Sequence, residues 1–83
     1  MQISMRTDYA LRALATLAEN YGERPISIPE LARRNDVPKR FLEHIMLDLK
    51  QCGWAKSMIG KKGGYALSQA PDQITIGAVI RHF

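Results

Sequence analysis

The middle of the chain constrains the fold most, because it combines two helix starts with a short connection between them. Ser27 and Glu30 have the spacing of an N-terminal capping box, in which each side chain bonds the other residue's backbone amide. Pro38 suits the first turn of a second helix. In that second helix, apolar residues recur at three- and four-residue steps: Leu42, Ile45, Met46 and Leu49. The pattern predicts helices over about 28–35 and 38–51, which together form a helix-turn-helix.

The segment after this helix pair has the pattern of a β-hairpin. Side chains alternate from Trp54 to Ile59, then Gly60-Lys-Lys-Gly-Gly64 forms a basic turn, and Tyr65-Ala-Leu67 returns. Two strands alone are barely stable, so the hairpin, over about 54–68, must lean on the helices. A helix-turn-helix followed by a basic hairpin predicts a winged helix, a mainly α fold with a small β-hairpin.

Further helices are predicted on both sides of this unit. Apolar residues at helical spacing predict a first helix over about 5–21, with Tyr21 in its apolar stripe and Gly22 ending it. Thr75 is the expected cap of a last helix over about 75–83. Its apolar stripe, Ile76 to Phe83, runs to the chain end, so we expect a truncated chain whose next element completes the fold or pairs two subunits.

Length and composition limit the class of protein. Eighty-three residues suffice for one domain with one small core, so we expect residues 1–83 to form a single domain. No apolar run approaches the roughly 18 residues of a membrane span, and Arg6 and Asp8 interrupt any signal peptide. The sequence therefore predicts a cytoplasmic protein without a membrane partner.

The positive charge is concentrated in one region. Residues 33–62 include eight basic and three acidic side chains, for a net charge of +5, whereas the rest of the chain carries −1. A local excess of this kind fits a surface that binds a polyanion. A solvated basic face remains the alternative reading of charge alone.

Residues for catalysis or metal binding are scarce. The two histidines, His44 and His82, lie on elements that need not meet, and no nucleophile–base or paired-carboxylate arrangement is placed by the spacing. The single cysteine, Cys52, cannot form an internal disulfide or hold a metal without other residues. We interpret Cys52 as a packing residue, with a thiol switch as the alternative. The sequence predicts neither an enzyme nor a metal or cofactor site.

Five segments together resemble a known family, the IscR/NsrR/CymR-type bacterial winged-helix transcription regulators. The resemblance covers essentially the whole chain, and the glycine-glycine-tyrosine wing is its most specific part. The matching segments are Tyr9-Ala-Leu-Arg-Ala-Leu14, Ile28-Pro-Glu-Leu-Ala32, Phe41-Leu-Glu-His-Ile45, Gly60-Lys-Lys-Gly-Gly-Tyr-Ala-Leu67 and Ile74-Thr-Ile-Gly-Ala-Val-Ile80.

The resemblance implies a homodimeric, sequence-specific DNA-binding regulator, a repressor in our interpretation, that binds an inverted-repeat operator. It implies that the 38–51 helix reads the major groove, that the wing reaches the adjacent backbone or minor groove, and that a long C-terminal dimerisation helix is absent from this chain. Ile59 stands where several members have a minor-groove arginine. The residues that the resemblance places at the DNA are Lys39, Arg40, Phe41, Glu43, His44, Lys61 and Lys62.

The chemistry of these residues leaves alternatives open. Arg40 can donate two hydrogen bonds to guanine or remain solvated. His44 can contact a phosphate or nothing. Glu43 can accept from cytosine or pair with Lys39 one turn away. The two wing lysines suit phosphate contact better than base readout, because their tip is flexible.

Two further expectations concern partners beyond DNA. Some members of the family carry three cysteines that bind an iron–sulfur cluster, but the matching positions lie past Phe83 and Cys52 does not match them. A cluster is therefore possible only if cysteines follow this chain. The alternative function is a winged-helix protein-docking module without sequence-specific DNA binding, since the apolar stripe from Ile76 to Phe83 would also suit a protein partner.

Overall fold

The computed structural model describes residues 3–83 and shows four helices, one two-stranded antiparallel hairpin and a short 3-10 turn in that range. The predicted domain range, 1–83, also includes residues 1 and 2, which lie outside the described residues. In chain order the elements are α1 Met5–Glu19, α2 Ile28–Asn35, α3 Lys39–Gln51, β1 Ala55–Met58, β2 Gly64–Leu67, the 3-10 turn Pro71–Gln73 and α4 Ile76–His82.

Hydroxyl side chains mark the start of three helices. Ser4, Ser27 and Thr75 precede α1, α2 and α4, and each hydroxyl oxygen accepts from the amide three residues later, at 3.1, 3.3 and 3.1 Å. These bonds satisfy first-turn amides that have no partner within the helix. Pro38 precedes α3 as its N-terminal cap residue, one position outside the helix, and its side chain has no oxygen that could accept from the first-turn amides.

Helix α1 ends two residues before the predicted boundary at Tyr21. The Asn20 side chain donates to the carbonyl oxygen of Arg24 at 2.6 Å and so turns the chain. Gly22 then adopts a left-handed conformation with φ +88°. Tyr21 is consequently 50% exposed instead of joining the core, so its predicted place in the apolar stripe was wrong.

The turn between α2 and α3 is short and anchored. Asp36 adopts a left-handed conformation with φ +52°, and its amide donates to the carbonyl of Ala32. Val37 follows and is buried. This turn brings α2 and α3 together as the predicted helix-turn-helix.

One core holds the helices and the base of the hairpin. Helix α3 lies centrally and packs against α1, α2 and β1. The largest fully buried side chains come from all four helices: Leu17, Leu31, Leu42, Ile45, Met46, Leu49 and Val79. Ile76, which the sequence placed in the apolar stripe of α4, is instead 65% exposed. Among residues 3–83, no helix has both the length and the hydropathy to cross a membrane.

The hairpin is attached to the connection before α2. Strand β1 pairs with β2 from Ala55 opposite Leu67 to Met58 opposite Gly64. Ile26 and Tyr65 exchange two backbone hydrogen bonds, of 2.9 and 2.8 Å. This approach requires glycine at position 64, because a Cβ there would collide with the backbone of Ile26 and the φ is +151°. The winged-helix fold predicted from the sequence is confirmed.

Candidate nucleic-acid interface

Helix α3 has one buried and one exposed face. Leu42, Ile45, Met46 and Leu49 on the inner face are at most 1% exposed. The exposed residues that follow one another along the outer face are Arg40, His44, Leu47 and Gln51. Because the inner face is locked into the core, the outer side chains are presented from a backbone that cannot rotate.

Two other residues that the sequence placed at the DNA, Lys39 and Glu43, are also exposed on α3. They do not form the ion pair that the sequence left open, since no bridge between them occurs among the described residues. Both side chains therefore remain accessible to a ligand in solution.

Phe41 lies at the edge of the outer face and contacts α1. Its ring meets that of Tyr9 edge to face, with the centroids 6.1 Å apart and the planes at 62°. The ring is still 53% exposed. Phe41 thus links α1 to α3 and leaves part of its surface at the rim.

The wing lies beside α3, and a hydrogen bond joins the two elements. Lys50 Nζ on α3 donates to Ser57 Oγ on β1 at 2.9 Å. Beyond β1, Ile59 is fully exposed at the position where the resemblance would put an arginine. The wing tip continues with Lys61 and Lys62, which are both exposed.

The two wing lysines share a polar groove with the start of α2. Arg24, Ser27 and Arg34 also line this groove. Four cationic side chains and the carboxylates of Glu23 and Glu30 therefore line one surface depression, which leaves an excess of positive charge there. This groove is a second candidate position for phosphate.

Glu30 partly neutralises the cations at this end of the molecule. Its carboxylate accepts from Arg33 Nη2 at 2.6 Å and from Arg34 Nε at 2.7 Å. These hydrogen bonds lower the pKa of Glu30 to about 2 and raise that of Arg33. The prediction that the Glu30 side chain bonds back to the Ser27 amide was wrong, because two guanidinium groups within one turn are stronger partners than a neutral amide.

A separate polar cluster joins the end of α3 to α4. His82 Nε2 lies 3.3 Å from Cys52 Sγ and 3.1 Å from Asp48 Oδ1. Hydrogen bonds from Arg6 and His82 lower the pKa of Asp48, whereas burial and the neighbouring Asp48 raise that of Cys52. Cys52 is therefore more than the isolated packing residue that the sequence suggested, and a raised pKa does not favour a reactive thiolate.

Sequence reasoning placed Leu47 on the outer face of α3 but missed two other residues of this surface. Gln51 continues the line of Arg40, His44 and Leu47, a continuation that helical spacing alone could have shown. Arg24 was missed because it precedes α2 and joins the wing groove only through the Ile26–Tyr65 pairing. Neither the periodicity nor the charge count indicates such a long-range contact.

A helix-turn-helix with a glycine-rich wing defines the winged-helix class of proteins. The family model for "Rrf2: Iron-dependent Transcriptional regulator" matches residues 3–83. The chain belongs to the Rrf2 family of transcriptional regulators. This family consists of regulators rather than enzymes, in agreement with the sequence prediction.

Individual relatives agree with the family assignment. The HTH-type transcriptional regulator CymR of Bacillus subtilis is 38% identical over 81 residues, which cover 98% of this chain and 59% of CymR. A Rhodobacter capsulatus protein named as an rrf2-like HTH-type regulator is 42% identical over 82 residues, covering 95% of this chain and 55% of the relative. The chain thus spans somewhat more than half the length of these curated relatives.

Solved structures share the fold. The structure of CymR from B. subtilis superposes with a TM-score of 0.93 at 37% identity, covering 98% of this chain and 63% of that one. IscR from T. potens superposes with a TM-score of 0.91 at 33% identity, covering 98% of this chain and 59% of the other.

The family name raises the question of iron, and the residues present do not fit an iron–sulfur cluster. Such clusters are held by several cysteine thiolates. This sequence has one cysteine, Cys52, and its Sγ faces a histidine and a carboxylate instead of other thiols. Any cluster would require cysteines that this chain does not contain.

Proposed function

We propose that this chain is the DNA-binding part of a cytoplasmic, sequence-specific transcription regulator that works as a homodimer. Helix α3 enters the major groove, and the wing contacts the adjacent backbone or minor groove. The observation that supports this proposal best is the two-faced α3, whose inner side chains are buried while Arg40, His44, Leu47 and Gln51 point outward together. A helix held in this way can present several side chains to base edges in one fixed register.

Each outer residue of α3 has a role that fits its chemistry. Arg40 donates two hydrogen bonds to a guanine, and Glu43 accepts from a cytosine. His44 and Lys39 contact phosphates, and Leu47 supplies an apolar contact of the kind that thymine methyl groups accept. Phe41 supports the first turn of α3 through Tyr9 while its exposed edge lies near the DNA backbone.

The wing and its groove position the protein on the duplex without reading bases. Lys61 and Lys62, together with Arg24 in the same groove, offer cations to phosphates. Ile59 cannot replace the minor-groove arginine that the resemblance expects. Sequence recognition therefore rests on α3, and the wing contributes salt-dependent affinity.

We further propose that the regulator is a repressor of an inverted-repeat operator. A two-fold dimer presents two copies of α3 to half-sites about one helical turn apart, so its site has the same symmetry. A dimer lying across a promoter in this manner excludes other proteins from the same grooves.

The proposal is tested by selecting bound duplexes from a random DNA pool at low salt. We expect enrichment of a short site, arranged as an inverted repeat. Recovery without any sequence enrichment would contradict base readout by α3 in this chain. The absence of any recovered DNA would contradict DNA binding altogether.

One observation favours a second candidate function, a protein-docking module. An apolar groove runs between α1 and the segment that leads into α4, lined by Leu11, Ala15, Ala18, Ile74 and Ile76 among others. This groove lies on other elements than the outer face of α3. If the DNA selection recovers nothing, substitution of Ile76 by Asp should still abolish association with a protein partner, whereas Arg40→Ala should leave it unchanged.

A further inference from the structure

The cluster at the junction of α3 and α4 brings together three side chains that carry different donor atoms. Asp48 and Cys52 lie one turn apart at the C-terminal end of α3, and His82 approaches from the last turn of α4. A carboxylate oxygen, a thiol sulfur and an imidazole nitrogen all lie within 4.8 Å of one another. Within residues 3–83, this is the one group of three such side chains that converges in this way.

We propose that Asp48, Cys52 and His82 form a binding site for a divalent zinc ion, with a water molecule as the fourth ligand. Nothing in the winged-helix interface requires these three residues to meet, and the proposal does not depend on DNA binding. It concerns a mononuclear ion and differs in ligand number and type from an iron–sulfur cluster.

The distances between the donor atoms fit tetrahedral zinc. With zinc about 2.3 Å from sulfur and about 2.0–2.2 Å from nitrogen and oxygen, neighbouring ligand atoms are about 3.4–3.6 Å apart. Cys52 Sγ lies 3.3 Å and Asp48 Oδ1 lies 3.1 Å from His82 Nε2. Both distances lie within about 0.3 Å of the tetrahedral values, and the third, between the Asp48 carboxylate and Cys52 Sγ, is at most 4.8 Å.

Only one of the two present contacts of His82 Nε2 can be a full hydrogen bond. Nε2 carries either one hydrogen or one lone pair, yet both Asp48 Oδ1 and Cys52 Sγ lie within hydrogen-bonding distance of this one nitrogen. A zinc ion would contact all three atoms at once. On binding, Cys52 would lose its thiol proton to solvent, and His82 would bind as the neutral imidazole.

Neighbouring residues hold the ligands in orientation. Arg6 Nη2 donates to Asp48 Oδ2 at 2.7 Å, which leaves Oδ1 directed at His82. The His82 ring packs edge to face against Trp54 and Phe83, with centroid distances of 5.9 and 4.9 Å. Hydrogen bonds and packing of this kind fix ligand rotamers at metal sites.

The donor set selects among metal ions. One thiolate, one imidazole and one carboxylate suit zinc, whereas magnesium and calcium prefer oxygen ligands alone. Three protein ligands leave one position open, and His82 is partly exposed, so water can complete the shell. Bound zinc would tie α4 to the end of α3.

The test measures metal binding by the purified 83-residue chain. Cobalt(II), a spectroscopic substitute for zinc, should give a thiolate-to-cobalt charge-transfer band and the intense visible bands of a four-coordinate ion. Addition of one equivalent of zinc should abolish both. Competition against a chromophoric chelator should then give the zinc affinity of each variant.

We expect Cys52→Ser, His82→Asn and Asp48→Asn each to weaken zinc binding at least tenfold, in line with the loss of one ligand. His44→Asn and Asp72→Asn are the matched controls, because each removes the same group from an exposed position outside the cluster, and both should bind zinc as the unmodified chain does. Zinc should also raise the Tm of the unmodified chain, and the same zinc concentration should raise that of Cys52→Ser by less.

Asp48 also binds Arg6, so Asp48→Asn is interpreted only if its circular dichroism spectrum is native. Cys52→Ser keeps a small polar side chain at the end of α3, so its zinc affinity alone is a sufficient test of the proposal. Equal zinc affinity in Cys52→Ser and the unmodified chain would overturn the proposal. A cobalt spectrum without the thiolate band would overturn it as well.

Discussion

Helix α3 and the wing are both basic and exposed, but they are held in place by different means. Four inner side chains of α3 are at most 1% exposed, so close packing fixes the whole helix. The wing buries Ala55 and Leu67, at its base, in the core, and Tyr65 packs partly buried against it. Beyond that base, backbone hydrogen bonds to Ile26 and the glycine at position 64 hold it.

This difference matches two kinds of contact with DNA. Base readout requires side chains within hydrogen-bonding distance of particular atoms, and a packed helix can hold them there. Phosphate contacts tolerate variation in position, because charge acts over a longer range and every nucleotide carries a phosphate. If the chain binds DNA as proposed, we therefore expect specificity to come from α3 and general affinity from the wing, and the following substitutions test this.

The largest effect should come from the buried face of α3. Leu42 is 0% exposed, so Leu42→Ala should lower the free energy of unfolding by about 2–5 kcal/mol through lost burial and a residual cavity. Urea denaturation measures this. Leu47→Ala, on the outer face and 51% exposed, is the control and should change stability by less than about 0.5 kcal/mol. Equal losses in the two variants would show that the two faces are not distinct.

The attachment of the wing is tested by Gly64→Ala. The added Cβ would collide with the Ile26 backbone, and we expect a loss of about 1–3 kcal/mol together with faster hydrogen exchange of the Tyr65 amide. Gly60→Ala is the control, because its φ of +126° is also unfavourable for alanine but no atom lies within 4 Å of the new Cβ. If both variants lost the same stability, left-handed strain and not the close approach would account for the loss.

The specificity of α3 is tested by Arg40→Ala and Arg40→Lys. Arg40→Ala should lose about 1–3 kcal/mol of discrimination at one base pair of each half-site, measured as a flattened preference in a DNA selection. Arg40→Lys keeps the charge but not the bidentate guanidinium donor. Of the losses seen in Arg40→Ala, it should therefore restore more of the overall affinity than of the base preference. An unchanged preference profile in both variants would remove Arg40 from base readout.

The smallest effect should come from the wing tip. Replacing both Lys61 and Lys62 by Ala should weaken binding to all sequences alike and flatten the dependence of log affinity on log salt by about two units at most. The preference profile should not change. Arg12→Ala combined with Arg81→Ala removes the same net charge from α1 and α4 and serves as the control. A slope that falls equally in this control would attribute the effect to net charge instead of wing contact.

Much of the fold could be predicted from local pattern, and the failures have physical reasons. Ser4, Ser27 and Thr75 mark helix starts because capping is a contact between near neighbours in sequence. Tyr21 fits the helical spacing, yet the bond from Asn20 to the Arg24 carbonyl ends α1 first. Ile76 also fits its stripe, but whether a residue is covered depends on which element packs against it.

The candidate DNA-binding residues also divide into those that local sequence pattern predicts and those that only the fold brings together. Helical spacing and charge were sufficient to choose Lys39, Arg40, Glu43 and His44 as outer residues of α3, and all four are exposed. Spacing could not show that Arg24 joins the wing lysines, because the two segments are almost forty positions apart. Nor could it show that Phe41 meets Tyr9.

The sequence by itself determined the order of the elements, the two faces of α3 and the basic glycine-rich turn, because capping, periodicity and turn chemistry act between residues close in the chain. Only the tertiary structure decided which distant side chains meet. His82 reaches Asp48 and Cys52, 34 and 30 residues earlier, because α4 packs against α1 and its last turn comes close to the end of α3. Such a meeting depends on the path of the backbone through the whole core, which no local pattern encodes.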